Sequence, residues 1–132
     1  MIDRALTTEF GDEISNYIDE RFRNNSFELL ENFKFVCYLS TYVFDCLKID
    51  PDLVEELLNS GDLARSFDKN SYASGFQQVE LESLDLTLRK VRRREMIRII
   101  FRDLTRQASL DETTSDLSNL ADACLVAAHD IH

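Results

Sequence analysis

Asp50 and Asp52 form the chain's only D-x-D pair. One or two carboxylates of this kind can hold Mg²⁺ against phosphate oxygens. Here, however, Pro51 stands at the centre of the pair and an apolar-periodic segment follows. Asp50-Pro51 therefore reads as a helix N-cap with proline at the first helical position, where the missing N–H costs nothing. His129 and His132 are three apart, but no cysteine or carboxylate cluster completes a tetrahedral site. The stretch Asp111 to Asp122 offers scattered oxygens without the central glycine and closing Glu of a calcium loop. No G-x-x-x-x-G-K-[ST] run and no glycine-rich dinucleotide turn occurs, and no cysteine lies beside either histidine to make a nucleophile–base pair. No residue is expected to be catalytic, cofactor-binding or metal-binding.

The elements that carry these residues read as helices. A length of 132 residues suits one compact domain, and 44% hydrophobic residues argue against disorder. Three glycines and one proline are too few for the turns of an all-β domain. The expected architecture is all-α, a bundle of about five helices ending in a long antiparallel hairpin. A first helix over about Asp12–Asn24 carries Ile14, Tyr17, Ile18 and Phe22 on one face. Asn25 or Ser26 caps a second, running to about Leu47 with the stripe Leu29, Leu30, Phe33, Val36, Cys37, Ser40, Phe44 and Leu47. A short helix after Pro51 uses Leu53, Val54, Leu57 and Leu58 and stops at a Gly61 cap. Residues from Asp62 to about Val79 read as a connection holding a helical turn or two. A long helix spans about Ser83–Arg106. The last starts near Ser109, whose spacing to Glu112 fits a capping box, and its stripe is Leu117, Leu120, Ala121, Cys124, Leu125 and Ala128. A short helix–helix loop makes the two antiparallel.

Asp3 and Arg4 stand near the start and no apolar run of the signal type follows Met1, so no ordinary secretory signal is expected, and no stretch approaches the roughly 20 apolar residues of a membrane span. Cys37, Cys46 and Cys124 are odd in number, form no C-x-x-C and sit on apolar stripes, so a reducing cytoplasm is the simplest setting.

Net charge is −10, which argues against general nucleic-acid binding. The balance is uneven. Eight of the 15 basic residues fall between Arg89 and Arg106, opposed there only by Glu95 and Asp103, so that segment is +6 and the remainder −16. On the long helix Leu84, Leu88 and Val91 share a side that continues as Glu95, Arg98 and Arg102, while Ile97, Ile100, Phe101 and Leu104 lie opposite. An apolar face that changes sides suits a helix with different neighbours along its length. Glu95 has Arg92 and Arg98 in pairing range, and Asp103 has Arg106. The arginines then form either a solvated face balanced by the acidic remainder or anchors to a neighbouring domain. Interleaved aromatics for base stacking are absent apart from Phe101.

The run from Leu88 to Ile99 (L-R-K-V-R-R-R-E-M-I-R-I), closing on Arg102-Asp103-Leu104, resembles the arginine-rich helix of the glutamine synthetase adenylyltransferases. Leu117-Ser118-Asn119-Leu120-Ala121, with Leu125, is similar to the L-S-x-L-A helix that follows it in that family. Phe35-Val36 with Ser40 and Val43, then Ile49-Asp50-Pro51 through Leu57, resembles the segment that precedes it. The likeness covers roughly residues 35–130. Val91 departs from it, standing where the family carries an aromatic residue.

The resemblance implies a large bifunctional enzyme with two nucleotidyltransferase halves. One half transfers AMP from ATP to a tyrosine of glutamine synthetase; the other removes it by phosphorolysis, releasing ADP. PII signalling proteins regulate the balance. In each half a helical region precedes the catalytic fold, and this chain resembles the region at the N-terminal, adenylyl-removing half. The Mg²⁺ and ATP or ADP of such an enzyme belong to a Gly-Ser turn and a strand-borne D-x-D, which would follow residue 132. The chain itself is then a silent scaffold, with Arg93, Arg94 and Arg98 as interdomain anchors towards the nucleotidyltransferase fold. The rival reading is a free-standing acidic interaction module that presents an apolar groove to a partner helix. An uncovered apolar patch of about several hundred Å² would mark a surface made for contact.

Overall fold

In the computed structural model, residues 4–74, 76 and 84–131 are described, with side chains described between residues 11 and 129 of that set. Every regular element among them is helical: α1 (Arg4–Arg21), α2 (Phe27–Leu39), α3 (Thr41–Ile49), α4 (Pro51–Ser60), a 3-10 turn (Asp62–Ala64), α5 (Lys69–Ser74), α6 (Leu84–Leu104) and α7 (Leu110–Ile131). They group into two compact units, one up to Asn59 and the other from Ser60 on. Ser83, Val79 and His132, where element limits and one histidine were placed, lie outside the described residues.

In the first unit α1 packs on α2, and α2 on α3. The stripe of α1 is buried at Ile14 and Ile18, with Phe22 just past its end. Tyr17 meets the edge of the Phe44 ring, centroids 6.2 Å apart. The helix starts two turns before Asp12, at Arg4, where Leu6 and Phe10 extend the spacing of Ile14 and Ile18. Ser26 caps α2, its Oγ accepting from the Leu29 N–H at 3.2 Å.

The expected second helix is two helices. The break falls at Ser40, whose backbone is extended at φ −123° and ψ 104°. Its N–H closes α2 onto the Val36 carbonyl, and its Oγ accepts from the Val43 N–H to open α3. The first bond is open to any residue with a backbone N–H; the serine hydroxyl makes the second by replacing a helical partner for an orphan N–H. The apolar period runs through the break, so Leu30, Phe33, Val36 and Cys37 are buried before it and Val43, Phe44, Cys46 and Leu47 after it. Asp50 caps α4, its Oδ1 accepting from the Leu53 N–H at 3.3 Å. Gly61 ends that helix at φ +81°, a left-handed conformation that glycine adopts without cost.

In the second unit α6 and α7 form the hairpin, α5 packs on α7, and the 3-10 turn packs on α6. Arg106 turns the chain at φ +62°, and the Gln107 N–H reaches back to the Arg102 carbonyl at 2.9 Å. Ser109 then caps α7 by accepting from the Glu112 N–H at 3.1 Å. Tyr72, Ile99 and Leu120 form a core joined by Phe67, Met96, Ala123 and Cys124. Both sides of α6 are buried in its C-terminal half: Ile97 and Phe101 on one, Glu95, Arg98 and Arg102 on the other. The apolar face changes sides because charge takes over one buried side.

Candidate functional site

The buried side of α6 is an arginine–carboxylate cluster. Arg98 is wholly inaccessible, and Arg102, Glu95 and Asp116 are nearly so. Spacings of three and four place Glu95, Arg98 and Arg102 in one line on α6. The partners come from each of the other elements of this unit. Arg98 Nε donates to Glu95 Oε1 at 2.8 Å, and Nη1 donates to the Arg65 carbonyl at 2.8 Å. Arg98 Nη2 donates to the Tyr72 hydroxyl. That hydroxyl donates in turn to Asp116 Oδ1 at 2.7 Å. The guanidinium lies over the Phe67 ring, 3.8 Å from its centroid. One side chain thus joins the 62–68 segment, α5 and, through Tyr72, α7.

Arg94 and Arg102 extend the cluster to either end. Arg94 spans Asp62 Oδ2 at 2.6 Å and Glu95 Oε2 at 2.7 Å. Arg102 Nη2 donates to Glu112 Oε2 at 3.0 Å and to Ser66 Oγ at 3.1 Å. Three guanidinium groups thus face the carboxylates of Asp62, Glu95, Glu112 and Asp116. Burying a charge costs several kcal/mol unless such partners are in place. Arg102 Nε and Asp116 Oδ2 are buried without a hydrogen-bond partner among the described residues. Burial and then the bond to Asp116 push the Tyr72 hydroxyl well above its ordinary pKa, against the opposing pull of Arg98.

Of the anchor candidates, Arg94 and Arg98 therefore spend donors inside this unit, and Arg93 is half-buried beside them. A solvated face does not describe Arg98 and Arg102, which are buried. Glu95 pairs with Arg98 as its spacing allows, and with Arg94 next to it. The Asp103 carboxylate accepts from Thr113 Oγ1 at 3.2 Å. Tyr72 and Asp62 were missed because they lie 26 and 32 residues from the arginines they serve, and Asp116 because it lies across the hairpin. The available signal was the charged continuation of the Leu84–Leu88–Val91 side.

The D-x-D pair does not fit a nucleotide-bound Mg²⁺. Asp50 is committed to capping α4, and Asp52 lies 2.8 Å from Arg21. Among the described residues no three His, Cys, Asp or Glu side chains are gathered to hold a metal ion. Asp111 to Asp122 lies on α7 rather than in a loop, and His129 is exposed. No helix among the described residues is long and apolar enough to cross a membrane.

Residues 30–132, which include the whole cluster, match the sequence model of the glutamate-ammonia ligase adenylyltransferase family. The chain belongs to this family. It is 40% identical over 99 residues to the bifunctional glutamine synthetase adenylyltransferase/adenylyl-removing enzyme of Pseudomonas syringae pv. tomato, covering 71% of this chain and 10% of that protein. It is 43% identical over 83 residues to the enzyme of the same name from Nitrosococcus oceani, covering 59% of this chain and 9% of that protein. For the Pseudomonas putida enzyme the identity is 38% over 104 residues, 75% of this chain and 11% of that protein. The chain thus spans about a tenth of the length of these curated relatives. No solved structure matches it.

Proposed function

We propose that this chain is the N-terminal helical region of a bifunctional glutamine synthetase adenylyltransferase/adenylyl-removing enzyme, and that it serves there as a non-catalytic scaffold. The observation that carries this reading is the family match over residues 30–132 in a chain a tenth as long as its relatives. The parent enzyme adds AMP from ATP to a tyrosine of glutamine synthetase and removes it by phosphorolysis, in the cytoplasm and under PII control. ATP, ADP and Mg²⁺ belong to a nucleotidyltransferase fold following residue 132, since the one D-x-D pair here is taken up by a cap and an ion pair. The buried cluster suits a scaffold because it fixes α6 against three other segments. Arg93, Arg94 and Arg98 serve the contact with the downstream domain, Arg94 and Arg98 by holding α6 in place.

The test is an adenylyl-removal assay on adenylylated glutamine synthetase with phosphate and Mg²⁺. It compares this chain with a polypeptide extended through the proposed catalytic fold. The expected result is turnover by the extended polypeptide and none by this chain. Turnover by this chain alone overturns the scaffold role, and a folded but inactive extended polypeptide overturns the parent assignment.

A further inference from the structure

Of the apolar stripe expected on α7 only Leu120 is buried; Leu117, Ala121 and Leu125 are exposed and belong to a stripe on the outer side of the helix. Leu110, Thr114, Leu117, Ala121, Leu125 and Ala128 recur at offsets of 4, 7, 11, 15 and 18. At about 100° per residue they fall within an arc of roughly 80°, which no other described residue of α7 shares. It stands well away from the buried side, marked by Asp116, Leu120 and Ala127. Leu110, Leu117 and Leu125 are 79%, 42% and 69% exposed, and it is their alignment on one arc, not exposure alone, that makes them a surface. The arc holds no ionisable group. Its one hydroxyl, Thr114 Oγ1, donates to the Leu110 carbonyl at 2.9 Å and leaves only the methyl group for contact.

The sizes along the stripe alternate. Leucine, threonine, leucine, alanine, leucine and alanine set large knobs apart by shallow gaps over about 27 Å of helix. Such a ridge accepts the side chains of another helix laid along it. We propose that this stripe is the seat of an amphipathic helix from the rest of the longer polypeptide, its C-terminal continuation. This rests on the parent reading above. What favours that occupant is length: relatives matched over some 80–100 residues have about nine-tenths of their chain outside the matched part. An uncharged helix face in a chain of net charge −10 is otherwise a liability in water. The arginine cluster and the stripe then divide the work. The cluster holds the hairpin rigid, and the stripe on its outer side makes the contact.

Hydroxyl-radical footprinting of the leucines tests this in two samples, this chain and the extended polypeptide. Leu117 and Leu125 should oxidise readily in this chain. In the extended polypeptide they should fall to the level of buried Leu120. A Leu117→Asp/Leu125→Asp variant should leave the thermal midpoint of this chain unchanged and lower that of the extended polypeptide. Leucines equally reactive in both samples overturn the proposal. So does protection in this chain that grows with its concentration, which would assign the stripe to a second copy. The adenylyl-removal assay on the same extended polypeptide separates the two failures. Activity with unprotected leucines sinks the docking site alone, and protection without activity sinks the parent reading alone.

Discussion

Tyr72 donates its hydroxyl proton to Asp116 Oδ1 at 2.7 Å, and this bond ties α5 to α7 through the interior of the second unit. The same oxygen receives Arg98, so the hydroxyl relays between a buried cation and a buried anion that are 3.9 Å apart at their nearest atoms. A phenol is suited to this position because it can donate and accept at once, whereas a carboxylate only accepts and a guanidinium only donates.

Tyr72→Phe should therefore cost about 1–3 kcal/mol at neutral pH, since it leaves buried donors and acceptors unmatched while keeping the ring. Its effect should also depend on pH. Burial, then the bond to Asp116, raises the Tyr72 pKa in the folded state. A raised pKa means stability that is fully present below the unfolded value of about 10 and lost as pH rises through the folded value. Lys34 adds to the same alkaline loss: burial works against its charge, but hydrogen bonds to Asp19 and Glu31 raise its pKa overall. Urea midpoints measured from neutral to alkaline pH should decline for the native chain and decline less steeply for Tyr72→Phe. Parallel curves would refute the relay.

Arg98→Ala should be the most damaging single change in the cluster. It leaves Glu95 to Arg94 alone and removes the buried cation beside Asp116, and breaking a buried pair in this way costs about 3–5 kcal/mol. Arg98→Lys should rescue little, because one ammonium cannot reach Glu95, the Arg65 carbonyl and Tyr72 from a single point. Denaturant unfolding monitored by circular dichroism gives the comparison. A lysine variant as stable as the native chain would count against the hub.

Ser40→Ala should cost about 1 kcal/mol through loss of the α3 cap, with Ser40→Asp or Ser40→Asn restoring most of it. This residue shows where sequence reading succeeds and stops. Leu30, Phe33, Val36, Cys37, Phe44 and Leu47 were legible as one apolar stripe, and those residues are buried. The break between them was not, because one capping serine changes backbone direction without disturbing a 3.6-residue period. Glu112 teaches the complementary lesson. Its N–H meets Ser109 as a capping box requires, but its carboxylate turns to Arg102 and Ser66. Local chemistry fixes the start of α7, and a partner 10 residues back decides where the charge goes. The candidate site was half visible for the same reason. Glu95, Arg98 and Arg102 lie in line by spacing alone, whereas Tyr72 and Asp116 join them only through tertiary packing.

The cysteines should differ in reactivity. Cys37 is buried, and burial pushes its thiol far above the ordinary range. Cys124 is partly accessible, its pKa raised by burial and moderated by the positive field of Arg92. Since the thiolate is the attacking species, a maleimide should label Cys124 first, and Cys37 only as the chain unfolds. Peptide mapping after brief exposure reads the order. Labelling of Cys37 ahead of Cys124 in native buffer would contradict the packing of α2.

Arg94→Ala separates the two ways an arginine could serve an enzyme of this family. Its guanidinium bridges Asp62 and Glu95 at 2.6 and 2.7 Å from a side chain that is 18% exposed. Because Arg98 still holds Glu95, the loss should be smaller than for Arg98→Ala, about 1.5–3 kcal/mol for hydrogen bonds to charged groups. If α6 is a strut that positions the downstream domain, adenylyl removal by the extended polypeptide should fall as its thermal midpoint falls. Lower growth temperature or a stabilising osmolyte should then restore both together. A direct anchor behaves differently: activity stays low after stability is restored. Unchanged activity together with an unchanged midpoint would remove Arg94 from either role, and leave the contact to the outer side of the hairpin.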